Sequence, residues 1–531
     1  ALRISMALLR RVATVGGYTM VSRVLGFVRE ILTASALGAG ATSDAFFVAL
    51  RLPNLFRTLF AEGAFSAAFV PLFAGMIAKD GREPAMRFAQ DTFSGLLTAL
   101  IVFLILGEIF TPAILHVVAP GFDADPAHFR LTVELTRITF PYLVFISLAS
   151  FQGGLLNAVD RFAATAATSI LLNLFLIVAL MHHPVTGQRL SWAVTAAGVA
   201  QCLWLAWSCR RAGLCLGWPH LHVSPEVRRL MRIMLPGVFG AGATQINLAV
   251  STAIASLAPV GSVSYLAYAD RLNQLPLGVV GVAVATAILP TLSRHIRKGE
   301  DSAALHTQNR GLELALLLTL PAAVALLLES HAILHVLFQR GRFGPHQVAE
   351  VAPTLAAYAF GLPAFVLIKV VITGFLARQD TLTPVKVAVS VMVANIVLTV
   401  SLGLYSGLAH VGIALATSTA GWINALSLIA ISARRRHFAL DARCRRSLPR
   451  ILLAAIGMGA ALIGLQDVLQ PGLNAHHLFV RLAALAALVG GGMAAFALLC
   501  LALGVAHPRE VRRMLGRRRA APTAVPSSVD S

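Results

Sequence analysis

Residues 22–60 read SRVLGFVREILTASALGAGATSDAFFVALRLPNLFRTLF, and this stretch decides how the chain is built. Apart from Arg23, Arg29, Glu30, Asp44, Arg51, Asn54 and Arg57 it is almost entirely apolar or small. It is long enough for two passes through a hydrocarbon core, at about 20 residues per helix. A charge near the centre of such a helix costs at least ~2.5–3.5 kcal/mol, so it faces a bundle interior or a watery cavity and marks what passes there. Four arginines in two neighbouring spans predict a helical membrane protein with a route for an anion.

The rest of the chain agrees. It has 531 residues, 57% hydrophobic and 12% charged, with a mean hydropathy of +0.78, whereas soluble domains carry about 25% charged residues. Apolar windows recur from end to end and leave no soluble domain. The net charge of +20 would suggest nucleic acid in a soluble protein. Here most basic residues sit in short loops beside apolar segments, where they orient the chain, and nucleic-acid binding is excluded. Of the 43 basic residues only Lys79, Lys298, Lys369 and Lys386 are lysines. That reflects an Ala- and Arg-rich composition, and it also suits a cavity, because arginine's planar fork grips phosphate and carboxylate.

Catalytic and cofactor signatures are missing from the sequence. There is no GxxxxGK[ST] phosphate loop, no HExxH and no G-x-S-x-G. The five cysteines include no C-x-x-C and imply neither disulfides nor metal. His182-His183 and His476-His477 read as solvated loop pairs, and Asp123 and Asp125 in PGFDADP as turn residues. A transporter without cofactor or metal is expected. The charges before the ASA sequence at Ser35 rule out a cleaved signal peptide there, and Met6 reads as the natural start.

Apolar windows between turn signals give about fourteen spans, centred near residues 25, 60, 102, 145, 172, 200, 243, 278, 318, 362, 392, 420, 460 and 490. Basic clusters at Arg10–Arg11, Lys79–Arg87, Arg210–Arg232, Arg294–Arg310, Arg434–Arg450 and Arg509–Arg519 alternate with loops nearly free of them, which places both termini in the cytoplasm. An internal repeat recurs at about 220 residues: Arg51 in ALRLPN answers to Arg271 in ADRLNQ, Pro71 to Pro290, Gly154 to Gly374 and Asp160 to Asp380. The expected fold is therefore all-α and polytopic, with two six-helix lobes in parallel repeat, residues 6–214 and 225–437. Two added helices follow at 448–505, then a basic disordered tail at 506–531. In transporters of this kind the site lies between repeats near the midplane.

The candidate substrate-binding residues are Ser22, Arg23 and Arg29 in the first span, Asp44, Arg51, Asn54 and Arg57 in the second, and Arg271 in the eighth. Gly26 would let the first span bend. Pro53 removes one ladder hydrogen bond, and Asn54 offers a polar partner beside it. The competing reading pairs each arginine locally with Asp44, Glu30, Glu62 or Asp270. These acids are too few to neutralise the set, which favours a shared anion site. Lys369 either joins the set or snorkels, Arg137 snorkels, and the glycine-rich stretches at 237–244 and 488–495 mark close helix packing.

Three stretches, SRVLGFVRE, SDAFFVALRLPNLFRTLFAEGAFSAAFVPLF and YADRLNQLPLGVVGVAVATAILPTLS, resemble the lipid II flippase family (MurJ/MviN) of the MOP exporter superfamily. The similarity covers about Met6 to residue 505. The resemblance implies an inner-membrane, fourteen-helix exporter of two lobes that moves lipid II, the undecaprenyl-diphosphate-linked peptidoglycan precursor, by alternating access. It also implies a monomer working among membrane lipids beside cell-wall synthesis proteins, with the lipid tail in a groove at spans 13 and 14. Ser22, Arg23, Arg29, Asp44, Asn54, Arg57 and Arg271 then occupy functional positions, and Arg51 stands where many relatives have lysine. Glu62 and Gly63 belong to the AEGAFS signature. Gln274 departs from the acid common in relatives, and the asparagine expected before Asp380 for a sodium site is missing. Alternatives are another exporter of this architecture or, less favoured, a lipid-linked glycosyltransferase, which needs a catalytic carboxylate in a large outer loop.

Overall fold

A computed structural model describes residues 2–60, 64–219 and 224–505. Glu62 and Gly63 of the AEGAFS signature and the tail at 506–531 lie outside the described residues. In chain order the helices are α1 (Leu2–Leu37), α2 (Ala41–Phe60), α3 (Ala64–Asp80), α4 (Arg82–Val118), α5 (Pro126–Thr139), α6 (Tyr142–Ala158), α7 (Phe162–Met181), α8 (Gly187–Arg211) and α9 (Pro225–Leu257). They continue with α10 (Ser262–Pro276), α11 (Val282–Arg297), α12 (Asp301–Leu328), α13 (Ser330–Leu337), α14 (Pro345–Ala377), α15 (Leu382–Val400), α16 (Ala409–Arg434), α17 (Ala442–Leu473) and α18 (Leu478–Ala502). A π-helical turn, Leu277–Gly281, joins α10 to α11. The described residues form an all-α, multi-span membrane protein, in which ten helices are long and apolar enough to cross a bilayer. Neither α1 nor α2 belongs to those ten. They carry Arg23, Arg29, Glu30, Asp44, Arg51 and Arg57, and the charges that make them candidates for a site lower their apolar content.

The chain divides into two compact units. One comprises Ala1–Leu272, Leu337–Thr354 and Val385–Ala420, so it takes in α1 to α9, most of α10 and parts of α14, α15 and α16. Its core is aromatic. Phe69, fully buried, stacks on Phe65 at 5.1 Å and on Phe73 and Phe88 at 5.6 Å, with Phe151 at 5.1 Å. This locks α3, α4 and α6 together, and losing such a phenylalanine costs about 3–5 kcal/mol.

The second unit comprises Asn273–Val336, Leu355–Pro384 and Gly421–Ser531. Here α17 and α18 pack through glycine. A Cβ on Gly491 would stand 2.4 Å from Leu465, and one on Gly492 2.6 Å from Leu462, so the stretch at 488–495 permits the close approach of two helices. Arg310 of α12 donates to both carboxylate oxygens of Asp441, each at 2.8 Å, while the same carboxylate caps α17 at Cys444 N–H.

The loops after α6 and α14 show how the repeat runs. Asp160 and Gln379 are both left-handed, with φ 62° and 61°. In each loop the next residue closes on a carbonyl five positions back: Arg161 N–H to Leu156 at 2.8 Å, Asp380 N–H to Phe375 at 3.0 Å. The spacing here is 379 − 160 = 219, so Asp160 matches Gln379, and Asp380 takes the place of Arg161. Sequence comparison pairs the two aspartates because chemical identity is the stronger signal there, whereas the backbone follows the turn.

Candidate functional site

The site grows from a single amide. In SILLNLFLIV (169–178) Asn173 is the one strongly polar side chain after Ser169, and a polar group in such a helix needs partners. Its Nδ2 donates to the Ser22 carbonyl at 3.0 Å and to the Ser169 carbonyl at 3.2 Å. Its Oδ1 accepts from Arg29 Nη1 at 3.0 Å. Ser22 and Arg29 are seven residues apart and so share a face of α1, and Asn173 grips that face from α7. Between them Gly26 presents no side chain, and a Cβ there would touch Asn173 at 3.7 Å. The helix runs unbroken through Gly26, where a side-chain methyl would meet Asn173 at an ordinary contact distance.

Arg29 also binds Glu30 through its second nitrogen. Glu30 is buried, and Arg271 of α10 reaches the same carboxylate oxygen at 3.3 Å. Two guanidiniums therefore share one carboxylate, and the cluster keeps one net positive charge. Arg271 remains about half exposed. The local-pairing reading is thus correct for Glu30, yet one acid cannot satisfy two arginines. What remains is a positioned, cationic, partly open site suited to an anionic ligand.

On α2, Pro53 leaves the Ala49 carbonyl without its helical donor, and Thr139 of α5 supplies one, its hydroxyl donating at 3.0 Å. Asn54 turns back along its own helix, donating to the Leu50 carbonyl at 2.9 Å. Arg51 bonds the Thr252 hydroxyl of α9. Arg57 lies farther along α2 and is half-buried. The structure brings Ser22, Arg29 and Arg271 together with Glu30 and Asn173. It gives Asn54 a role inside its helix and ties Arg51 to α9.

Asp44 has a different place. Its carboxylate accepts from Gly261 N–H at 2.6 Å, from Ser264 N–H at 2.8 Å and from the Ser264 hydroxyl. It caps α10 from a neighbouring helix and is 1% exposed. Around it the chain is sealed. Arg342 N–H donates to the Ser35 carbonyl at 2.8 Å, and the Tyr268 hydroxyl donates to the Gly38 carbonyl at 2.9 Å. Gly38 and Gly341 are left-handed, with φ 67° and 58°. A Cβ on Gly38 would fall 2.8 Å from the Arg342 carbonyl oxygen, and one on Gly341 2.4 Å from that of Ser35. Phe338 and Phe343 pack on Tyr268 at 6.2 and 5.5 Å. This seal lies on the C-terminal side of Glu30 along α1, while Arg23, on the other side, is exposed.

Sequence reasoning did not find Asn173, Thr139, Thr252 or Ser264. Each is a single polar residue whose partner is about 90 to 220 positions away. Only Asn173 carries a local signal, as an amide inside an apolar run.

Residues 33–484 match the family described as lipid II flippase MurJ. A "Probable lipid II flippase MurJ" of Rhizobium meliloti (strain 1021) is 45% identical over 523 residues, covering 96% of this chain and 97% of that protein. Among solved structures, a lipid II flippase MurJ in an inward closed conformation matches with TM-score 0.76 and 24% identity over 95% of this chain and 99% of that one. An inward-facing multidrug resistance MATE family transporter of the MOP superfamily shares the fold with TM-score 0.66 and 13% identity, over 80% of this chain and 97% of that one. With the family matched over most of its length, the chain belongs to the lipid II flippase family MurJ.

Proposed function

We propose that this protein exports lipid II from the cytoplasmic to the outer leaflet of the inner membrane, with Arg29 and Arg271 holding the diphosphate. The observation that carries this reading is the Arg29–Glu30–Arg271 cluster. Glu30 holds two forks in fixed directions and leaves a positive charge for the cargo to neutralise. Arg23, Arg51 and Arg57 extend the cationic surface along α1 and α2, Ser22 and Asn54 set helix geometry, and Asp44 positions α10.

The export cycle is alternating access between an N-lobe at 6–214 and a C-lobe at 225–437, with fourteen spans in all and the polyprenyl tail in a groove at 448–505. Basic loops place both termini, including the tail at 506–531, in the cytoplasm. In that orientation the seal around Asp44 and Gly38 closes the outer side and the site is reached from within. The absence of a nucleotide loop leaves the membrane potential as the drive, worth ~2.3 kcal/mol per charge per 100 mV. The protein acts as a monomer, and cell-wall synthesis proteins take up its product.

Complementation tests the assignment. In a cell depleted of its own lipid II flippase the wild-type chain supports growth, and Arg29→Ala and Arg271→Ala at normal membrane levels do not. Growth with both variants would overturn the anion-site reading.

A further inference from the structure

A cavity of about 310 Å³ opens between α1, the end of α6 and the start of α7; its walls are largely apolar, through Phe162 and Ala166 among others, and carry the polar side chains of Ser22, Arg23, Asn157 and Thr165. Three of these groups lack partners. Asn157 Oδ1 and Thr165 Oγ1 are buried and make no hydrogen bond. The Arg23 guanidinium forms no hydrogen bond or ion pair among the described residues. Buried polar atoms left in this state are costly, and native proteins keep few without a reason. The cavity is also built. A Cβ on Gly153 would stand 3.0 Å from Thr165 Cγ2, so glycine lets α7 approach α6 and seats Thr165 in the wall.

The chemistry of the three groups is specific. Arg23 offers a fork for phosphoryl or carboxylate oxygens. Thr165 is free to donate its hydroxyl. Asn157 Oδ1 needs a donor, which bare phosphate at neutral pH supplies poorly. A ligand satisfying all three carries an anionic oxygen next to a hydroxyl or amide N–H, as a glycosyl phosphate does. Arg23 precedes Arg29 by six residues, about 9 Å along the helix at 1.5 Å per residue. The cavity is thus a neighbour of the Glu30 cluster, displaced toward the N-terminal end of α1.

We infer that this cavity, with Arg23, Asn157 and Thr165 as its contacts, is a docking subsite for the sugar–phosphate junction of the lipid-linked cargo. The inference rests on the lipid II reading and adds to it. The Glu30 cluster holds charge alone, whereas this cavity reads the sugar beside the charge. With the N-terminus of α1 in the cytoplasm it is the first polar site a head group meets on its way in.

Binding to the purified full-length protein in nanodiscs tests this, with lipid II and undecaprenyl diphosphate as the two probes. The double variant Asn157→Leu/Thr165→Val should bind lipid II about tenfold more weakly, the worth of one to two hydrogen bonds. Its affinity for undecaprenyl diphosphate, which lacks the sugar, should not change. Thr165→Ser keeps the hydroxyl and should bind both probes as the wild type does. Should the double variant fail to fold, Thr165→Val alone should still lose about threefold on lipid II only. Equal loss for both probes, or loss for neither, overturns the subsite. If the wild type binds lipid II no better than phosphatidylglycerol, the cargo assignment itself falls and takes this inference with it.

Discussion

Asp44 and Ser264, 220 positions apart, are hydrogen-bonded to each other: the Ser264 N–H donates to Asp44 Oδ1 at 2.8 Å, and the Ser264 hydroxyl to the same oxygen. The number is also the spacing of the internal repeat, which relates Arg51 to Arg271. The first turns of α2 and α10 therefore meet at this contact. The contact is buried, with Ser43, Asp44 and Ser264 at most 1% exposed. Separating α2 from α10 at this point would expose a carboxylate and two helix ends together.

This contact can be fixed shut. The Ser43 and Ser264 hydroxyl oxygens are 2.9 Å apart, close enough for a disulfide between cysteines at these positions after small adjustment. The Ser43→Cys/Ser264→Cys protein should complement under reducing conditions, lose export on oxidation and recover on reduction. Undiminished export by fully cross-linked protein would show that this end does not open.

Glu30 provides a second prediction. Glu30→Gln removes the carboxylate shared by the largely buried Arg29 and the half-exposed Arg271, and the cost falls chiefly on Arg29, whose charge is the one left desolvated. Thermal unfolding should fall clearly and export should be lost, while Glu30→Asp keeps much of the stability. Arg29→Lys should be stable but defective in export, because an ammonium cannot span Glu30 and Asn173 as the fork does. Arg57→Lys should be partly defective for the same reason. Normal export by Arg29→Lys would reduce the role of Arg29 to charge.

The reach of the sequence is visible in these residues. Arg29 and Arg271 were legible because charge in an apolar helix is conspicuous and costly. Most of the helices were legible from their long apolar windows, whereas α1 and α2 are helical despite charges that keep them below that standard. Asp44 looked like another member of the site, since a one-letter pattern does not distinguish a carboxylate facing a cavity from one capping a helix more than 200 residues away. Asn173 was passed over because one amide has no periodicity, and its importance comes from meeting Ser22 and Arg29 across 151 and 144 positions. The two left-handed turns, at Asp160 and Gln379, lie 219 residues apart, one fewer than the spacing that pairs Asp160 with Asp380 in the sequence.

The loop after α14 carries a pH prediction. Asp380 accepts from the Thr383 hydroxyl at 2.7 Å, from the Thr383 N–H at 3.0 Å and from Arg435 Nη1 at 2.6 Å. These hydrogen bonds, with Thr383 foremost and Arg435 adding its charge, hold its carboxyl down to about 2. A depressed folded value stabilises fully above the unfolded value, about 3.9, and is lost as pH falls through about 2. The pair is part-exposed, so screening keeps its worth to about 1 kcal/mol or less. Asp380→Asn should lower the unfolding temperature by the same small amount at pH 5 and pH 8. A gap that closes between those values would contradict the assignment.

Topology is directly measurable. Single cysteines at positions 82, 229, 297 and 435 in a cysteine-free background should resist an impermeant thiol reagent in intact cells and react after permeabilisation, as the basic loops require. Labelling at position 297 in intact cells would reverse the orientation, and the seal at Asp44 would then face the cytoplasm.

If the cationic cluster carries lipid II across the membrane, the fraction of lipid-linked precursor open to a hydrolase acting only at the outer face reports it. In cells depleted of their own flippase, the wild-type chain should restore that fraction within minutes of induction. Arg271→Ala at equal membrane level should leave the precursor inside, and collapse of the potential at fixed pH gradient should do the same to the wild type. Precursor that stays protected when the wild-type chain is expressed, or becomes accessible with Arg271→Ala as readily as with wild type, would contradict the account.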